Sequence, residues 1–184
     1  MSGYTADTLG AVVNKKNSVE LYGQGAAYLA DSYLNKTTGI VSFNFNMSEL
    51  TNDYHNIFTF ALLNEKKSFI NQGTGDGFVV EFRSFDKYQR GYAVYIGTVV
   101  DGKVTNYEKM NNRIILGDLS KAKFDVKLTR NANGSWAIKI VDKTYSRTLT
   151  YNLANGKGVS SLKAGSTYVS AGNSGIDMKA VVGY

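Results

Sequence analysis

Glu81 and Arg83 stand two residues apart in the run Phe78–Arg83, and Tyr95 follows in the next apolar run, Gly91–Ile96. Strand side chains alternate with period 2, so Phe78, Val80 and Phe82 share one face and Val79, Glu81 and Arg83 the other. Tyr95 is out of phase with Tyr92, Val94 and Ile96, which puts it on the same side as Glu81 and Arg83. A carboxylate and a guanidinium offer planar acceptors and donors suited to vicinal hydroxyls. A phenol ring beside them supplies an apolar patch for the C–H face of a pyranose, with a hydroxyl at low entropic cost. Asn44 and Asn46, on the polar face of another alternating run, add amides of the same kind. Tyr88 and Arg90, in the segment joining the first two runs, extend the set.

Other chemistries fit less well. The turn Gly73-Thr74-Gly75-Asp76-Gly77 is glycine-rich, but it precedes a strand and lacks the Gly-Lys-Ser/Thr ending of a phosphate cradle. Its glycines read as a tight turn. Glycoside hydrolysis needs two carboxyl groups about 5–9.5 Å apart. The five glutamates, Glu20, Glu49, Glu65, Glu81 and Glu108, include no two within ten residues, so no local acid pair exists. His55 is the only histidine and sits in a polar stretch, where solvation is its expected state. Trp136, the only tryptophan, is in phase with Ile138 and Ile140 and reads as core.

The elements that must position these residues are strands. Thr38–Met47 alternates cleanly, and Ile57–Leu63, Val104–Lys109, Arg113–Leu116 and Thr167–Ala171 are further strand-like runs, with Ile176–Val182 last. Short runs at Ser18–Tyr22 and Gly25–Ala30 precede them. Residues 1–17 show no sustained period and read as a lead-in. Ser48–His55 reads as a loop or one helical turn. Phe124–Arg130 and Ser135–Val141 flank an Asn133-Gly134 dipeptide, the mark of a hairpin, and Tyr145–Leu153 continues the meander. About a dozen short alternating strands, with no long amphipathic helix, imply two packed antiparallel sheets: an all-β sandwich in a single domain spanning residues 1–184.

Composition agrees. The chain has 184 residues, no cysteine and no proline, with 13 tyrosines and 9 phenylalanines. No disulfide or thiolate metal site can form. No stretch approaches the roughly 18 apolar residues that would span a bilayer. The formal charge is +6, concentrated between Lys121 and Lys163, where nine Lys/Arg face two Asp. Without an arginine cluster or stacking aromatics, that surplus reads as the solvated outside of a hairpin, not a nucleic-acid surface. The opening Met-Ser-Gly, with no secretory leader, suggests a module of a longer protein.

Three stretches carry a resemblance: Gly39–Phe45 (GIVSFNF) with Asn56–Leu63 (NIFTFALL); GDGFVVEF with GYAVYIG; and FDVKLTRNANGSWAIKIVD with YSRTLTYNL and YVSAG. Together they resemble the concanavalin A-like lectin/glucanase jelly roll, shared by laminin-G-like domains, plant-type lectins and bacterial carbohydrate-binding modules, over about Val19 to Val182. The resemblance implies a non-catalytic glycan-binding module, monomeric, extracellular or on the cell surface, within a larger enzyme or adhesin. It also implies that Asp76 accepts hydrogen bonds from a sugar or binds a structural calcium, though no cofactor is indicated. Legume-type lectins carry paired metal-binding acids after a VEFD-like strand; here Val80-Glu81-Phe82-Arg83 has arginine at the second position. The glutamate pair of the glucanases is absent. Polysaccharide lyases on a similar jelly roll pair an arginine with histidine and tyrosine, and Arg83, His55, Tyr54 and Tyr184 supply those types. The RxELR strand and Gln-Ile-His triplet of alginate lyases are missing. A lyase or hydrolase, and a structural or protein-binding sandwich, are the alternative expectations.

Overall fold

The computed structural model describes residues 4–6, 11–14, 18–22, 26–29, 39–48, 56–63, 76–84, 91–109, 115–116, 123–153, 166–171 and 179–183. They form strands β1 (Tyr4–Ala6), β2 (Ala11–Asn14), β3 (Ser18–Tyr22), β4 (Ala26–Leu29), β5 (Gly39–Ser48), β6 (Asn56–Leu63), β7 (Gly77–Ser84) and β8 (Gly91–Val100). There follow β9 (Lys103–Lys109), β10 (Ile115–Leu116), β11 (Lys123–Arg130), β12 (Trp136–Asp142), β13 (Arg147–Leu153), β14 (Ser166–Ala171) and β15 (Lys179–Gly183). All pairings are antiparallel, in two sheets. One has eight strands in the order β1-β4-β14-β6-β7-β8-β10, with β9 also on β8; the other runs β13-β12-β11-β5-β15-β3-β2. The stretch 1–17, expected as a lead-in, contains β1 and β2. Three- and four-residue strands are too short to show a period, and their pairing to β4 and β3 defines them. The expected loop or turn at Ser48–His55 lies, beyond Ser48, outside the described residues.

Alternation builds the core. Phe58, Phe60 and Leu62 of β6, Phe78, Val80 and Phe82 of β7, and Tyr92, Val94 and Ile96 of β8 are buried. They face Phe45 of β5, Phe124, Val126 and Leu128 of β11, and Trp136, Ile138 and Ile140 of β12, which are buried too. Phe45 is the hub: its ring stacks on Phe58 at 3.9 Å and on Phe124 at 4.9 Å, and meets Phe82 edge-on at 5.1 Å. Phenylalanine–phenylalanine packing of this kind adds roughly 0.5–1.5 kcal/mol per pair beyond the area it buries.

The β11–β12 hairpin closes through Gly134, at φ 83°, whose N–H donates to the Asn131 carbonyl. A type I turn followed by a left-handed glycine uses the Asn-Gly pair for a bulged turn, not a two-residue one. Between β8 and β9 the reverse holds. Asp101 (φ 49°) and Gly102 (φ 71°) are both left-handed, which makes the tight primed turn that matches strand twist.

Candidate functional site

The outer face of the eight-stranded sheet brings Glu81, Arg83 and Tyr95 together, as the strand phases predict. Glu81 pairs with Tyr95 across β7 and β8, and Arg83 pairs with Ala93. This face is not open surface, however. Val79 is fully buried on it, packed with Ala61, Leu63 and Val99 beneath Val104 of β9.

What covers the face is a bend in β9. Opposite Gly97 the β8–β9 register slips, and Asn106 adopts φ 52°. Asparagine tolerates the left-handed region better than most residues, and one extra residue in a strand re-aims its neighbours. The bend brings Tyr107 over Gly97, where a built Cβ would stand 2.6 Å from Val104 Cγ1 and 3.1 Å from the Tyr107 ring. Only glycine leaves room for both.

Tyr107 Oη then donates to Glu81 Oε1. Arg83 donates to Glu81 Oε2, through Nε at 2.8 Å and also through Nη2. The guanidinium lies between two rings, its Cζ 4.3 Å from the centre of Tyr95 and 4.7 Å from that of Tyr107. The Glu81 side chain is 7% exposed and that of Arg83 30%, while Tyr107 is 41% exposed. Burial, then the hydrogen bond to Glu81, raises the Tyr107 pKa well above its ordinary value, so the phenol remains a donor. The result is a carboxylate with both oxygens engaged, holding a cation and two aromatic rings in fixed positions. The exposed parts of Tyr107 and Arg83 are what the cluster presents outward.

Tyr107 was the missing member. Its signal in the sequence is the isolated Gly97 inside a strand, which marks a bulge or a close approach of another chain segment.

The other expected ligands do not join this cluster. Asn44 and Asn46 lie on β5, in the opposite sheet, beside Asp125 and Lys123 of β11. They are on the outside of that sheet, because Phe45 between them points into the core. Sheets pack about 10 Å apart, so the whole sandwich separates these amides from Glu81. Alternation fixes a residue's face but not its sheet. Asp76 is seven residues from Arg83, about 23 Å along an extended strand, and its Oδ1 accepts from the Asp101 N–H at 3.0 Å. It anchors the β8–β9 turn. Beside it, Gly77 is a necessity: a Cβ there would meet the Leu62 carbonyl oxygen at 1.9 Å. Tyr88 and Arg90 lie outside the described residues. Among the described residues no three His, Cys, Asp or Glu side chains gather to hold a metal.

No protein-family model matches this sequence, and no curated protein matches it. The fold does have solved counterparts. A legume lectin-like domain from Entamoeba histolytica aligns with TM-score 0.64 at 10% identity, over 98% of this chain and 87% of the other. Basic winged bean lectin with Tn-antigen aligns at 0.58 and 12% identity, over 100% and 93%. Lectin UEA-II complexed with galactose aligns at 0.54 and 16% identity, over 98% and 92%. The fold is thus the concanavalin A-like, lectin-type jelly roll, as the resemblance implied.

Proposed function

We propose that this chain is a carbohydrate-binding, lectin-like domain that grips a glycan on the outer face of its eight-stranded sheet, through Arg83, Tyr95 and Tyr107. The observation that carries the reading is the fixed, exposed ring of Tyr107 with the Arg83 guanidinium against it. A pre-set aromatic plane and a neighbouring donor match the C–H face and hydroxyls of a sugar without ordering cost at binding. The reading is supported by the solved counterparts that are complexes with Tn-antigen and with galactose. Glu81, held by donors on both oxygens, suits a positioning carboxylate and not a proton-transferring one, in keeping with a non-catalytic module. Such a domain would serve as a monomeric module of a larger extracellular or cell-surface enzyme or adhesin.

Affinity electrophoresis in gels containing neutral and acidic polysaccharides tests this. Retention should appear on at least one polymer, weaken several-fold in Tyr107→Ala and Arg83→Ala, and persist in Asn44→Ala. Retention on none, or retention indifferent to both substitutions, would overturn the reading. Growth of conjugated-product absorbance with a uronate polymer would favour a lyase instead.

A further inference from the structure

Arg130 ends β11 with its side chain turned into the sandwich, directly across from Trp136 on β12. Arg130 is 9% exposed and Trp136 is 4% exposed. Three of their N–H donors, Arg130 Nε, Arg130 Nη1 and Trp136 Nε1, are buried without a hydrogen-bond partner among the described residues. The guanidinium carbon lies 6.0 Å from the indole ring centre, and the Phe78 ring lies 6.0 Å from the same indole. Leu153 flanks it from β13.

This end of the sandwich contrasts with the other buried polar side chains among the described residues. Glu81 is engaged on both oxygens, and buried Asp142 accepts from Tyr92, Thr144 and Tyr145. Buried polar groups in native proteins are almost always paired, and an unpaired buried cation is among the most costly defects. Arg130 therefore calls for an anion. Its Nε and Nη1 lie on different edges of the guanidinium, so one oxygen cannot serve both. A carboxylate on one edge, with further oxygens for the other edge and for the indole N–H, would satisfy all three donors.

We propose that the Arg130–Trp136 end binds a small carboxylate-bearing ligand that also carries hydroxyl oxygens, as an acidic sugar does. The carboxylate pairs with Arg130, and a hydroxyl oxygen accepts from Trp136 Nε1. This site faces inward beside Phe78, whereas Arg83 lies five residues along β7 on the outer face, so the two do not share a ligand group.

Trp136 is the only tryptophan, so its fluorescence reports on this site alone. Titration with sodium glucuronate should give a saturable change in emission and a rise in melting temperature, and glucose at matched ionic strength should give neither. Arg130→Met should abolish both responses and, without ligand, melt above the wild type, because an unpaired buried charge has been removed. Tyr107→Ala should leave the glucuronate response intact, which separates this site from the outer-face glycan site. Absence of a saturable change in the wild type, or a change that survives in Arg130→Met, would overturn the proposal. So would an Arg130→Met protein that melts below the wild type in ligand-free buffer, since that would reveal a partner within the protein.

Discussion

The phenol of Tyr92 donates to Asp142 Oδ2 at 2.7 Å, although the two residues belong to different sheets and stand 50 positions apart. Both are almost fully buried, at 1% exposure. Asp142 Oδ1 accepts from the N–H groups of Thr144 and Tyr145, so one carboxylate ties the two sheets together and also shapes the β12–β13 turn. Tyr92→Phe removes a single oxygen and leaves Oδ2 buried without its donor. We expect a loss of about 1–3 kcal/mol, measured by urea unfolding. An unchanged midpoint would mean that water replaces the phenol.

Alkaline pH should expose the same arrangement. Burial and Asp142 raise the Tyr92 pKa, and burial and Glu81 raise that of Tyr107. Burial, then the hydrogen bond to Glu108, pushes Tyr151 up to about 12. A tyrosine whose folded pKa is raised stabilises the protein fully below its unfolded value of about 10, and that contribution is lost as pH climbs towards the folded value. Stability should therefore begin to fall near pH ~10, with the Tyr151 contribution fading between the unfolded value and about 12. Melting curves across this range, set beside those of Tyr151→Phe, check it: the variant should show a shallower decline.

Gly97 and Gly77 predict different failures. At Gly97 an added methyl meets a valine methyl and an aromatic edge, so Gly97→Ala should cost ~1–3 kcal/mol by overpacking and displace Tyr107, weakening glycan retention as well. At Gly77 the obstacle is the Leu62 backbone oxygen at 1.9 Å. Gly77→Ala should break the β6–β7 register and abolish soluble expression. A well-folded Gly77→Ala protein would contradict the close approach.

Asn106 tests the bend itself. At φ 52° an alanine is strained where asparagine or glycine is not. Asn106→Ala should lose roughly 1–2 kcal/mol, while Asn106→Gly stays close to wild type. If both fall equally, the asparagine side chain matters more than the backbone shape.

The strand phases were legible because burial and alternation coincide: Phe78, Val80 and Phe82 point inward as the pattern requires. That Asn44 and Asn46 stand in the other sheet from Glu81 was not legible, for a definite reason. β5 pairs with β11 and β15, strands far away in sequence, and nothing local records that partnership. β1 and β2 stayed hidden for another reason: at three and four residues they are too short to show a period. Tyr107 stayed hidden because Asn106 breaks the period-2 pattern on which the face assignment relies, although Gly97 carried a readable hint. The role of Asp76 was missed because the Asp101-Gly102 turn that it anchors lies 25 positions away.

The sheet order has a bearing on synthesis. β14 sits between β4 and β6, and β15 sits between β3 and β5, so strands made early become neighbours only through strands made late. A nascent chain that has emerged only as far as β13 carries unfilled edges in both sheets. Such edges are templates for pairing with other chains. The two late strands thus act as keystones, and the domain's exposure to misassembly ends only when they are in place.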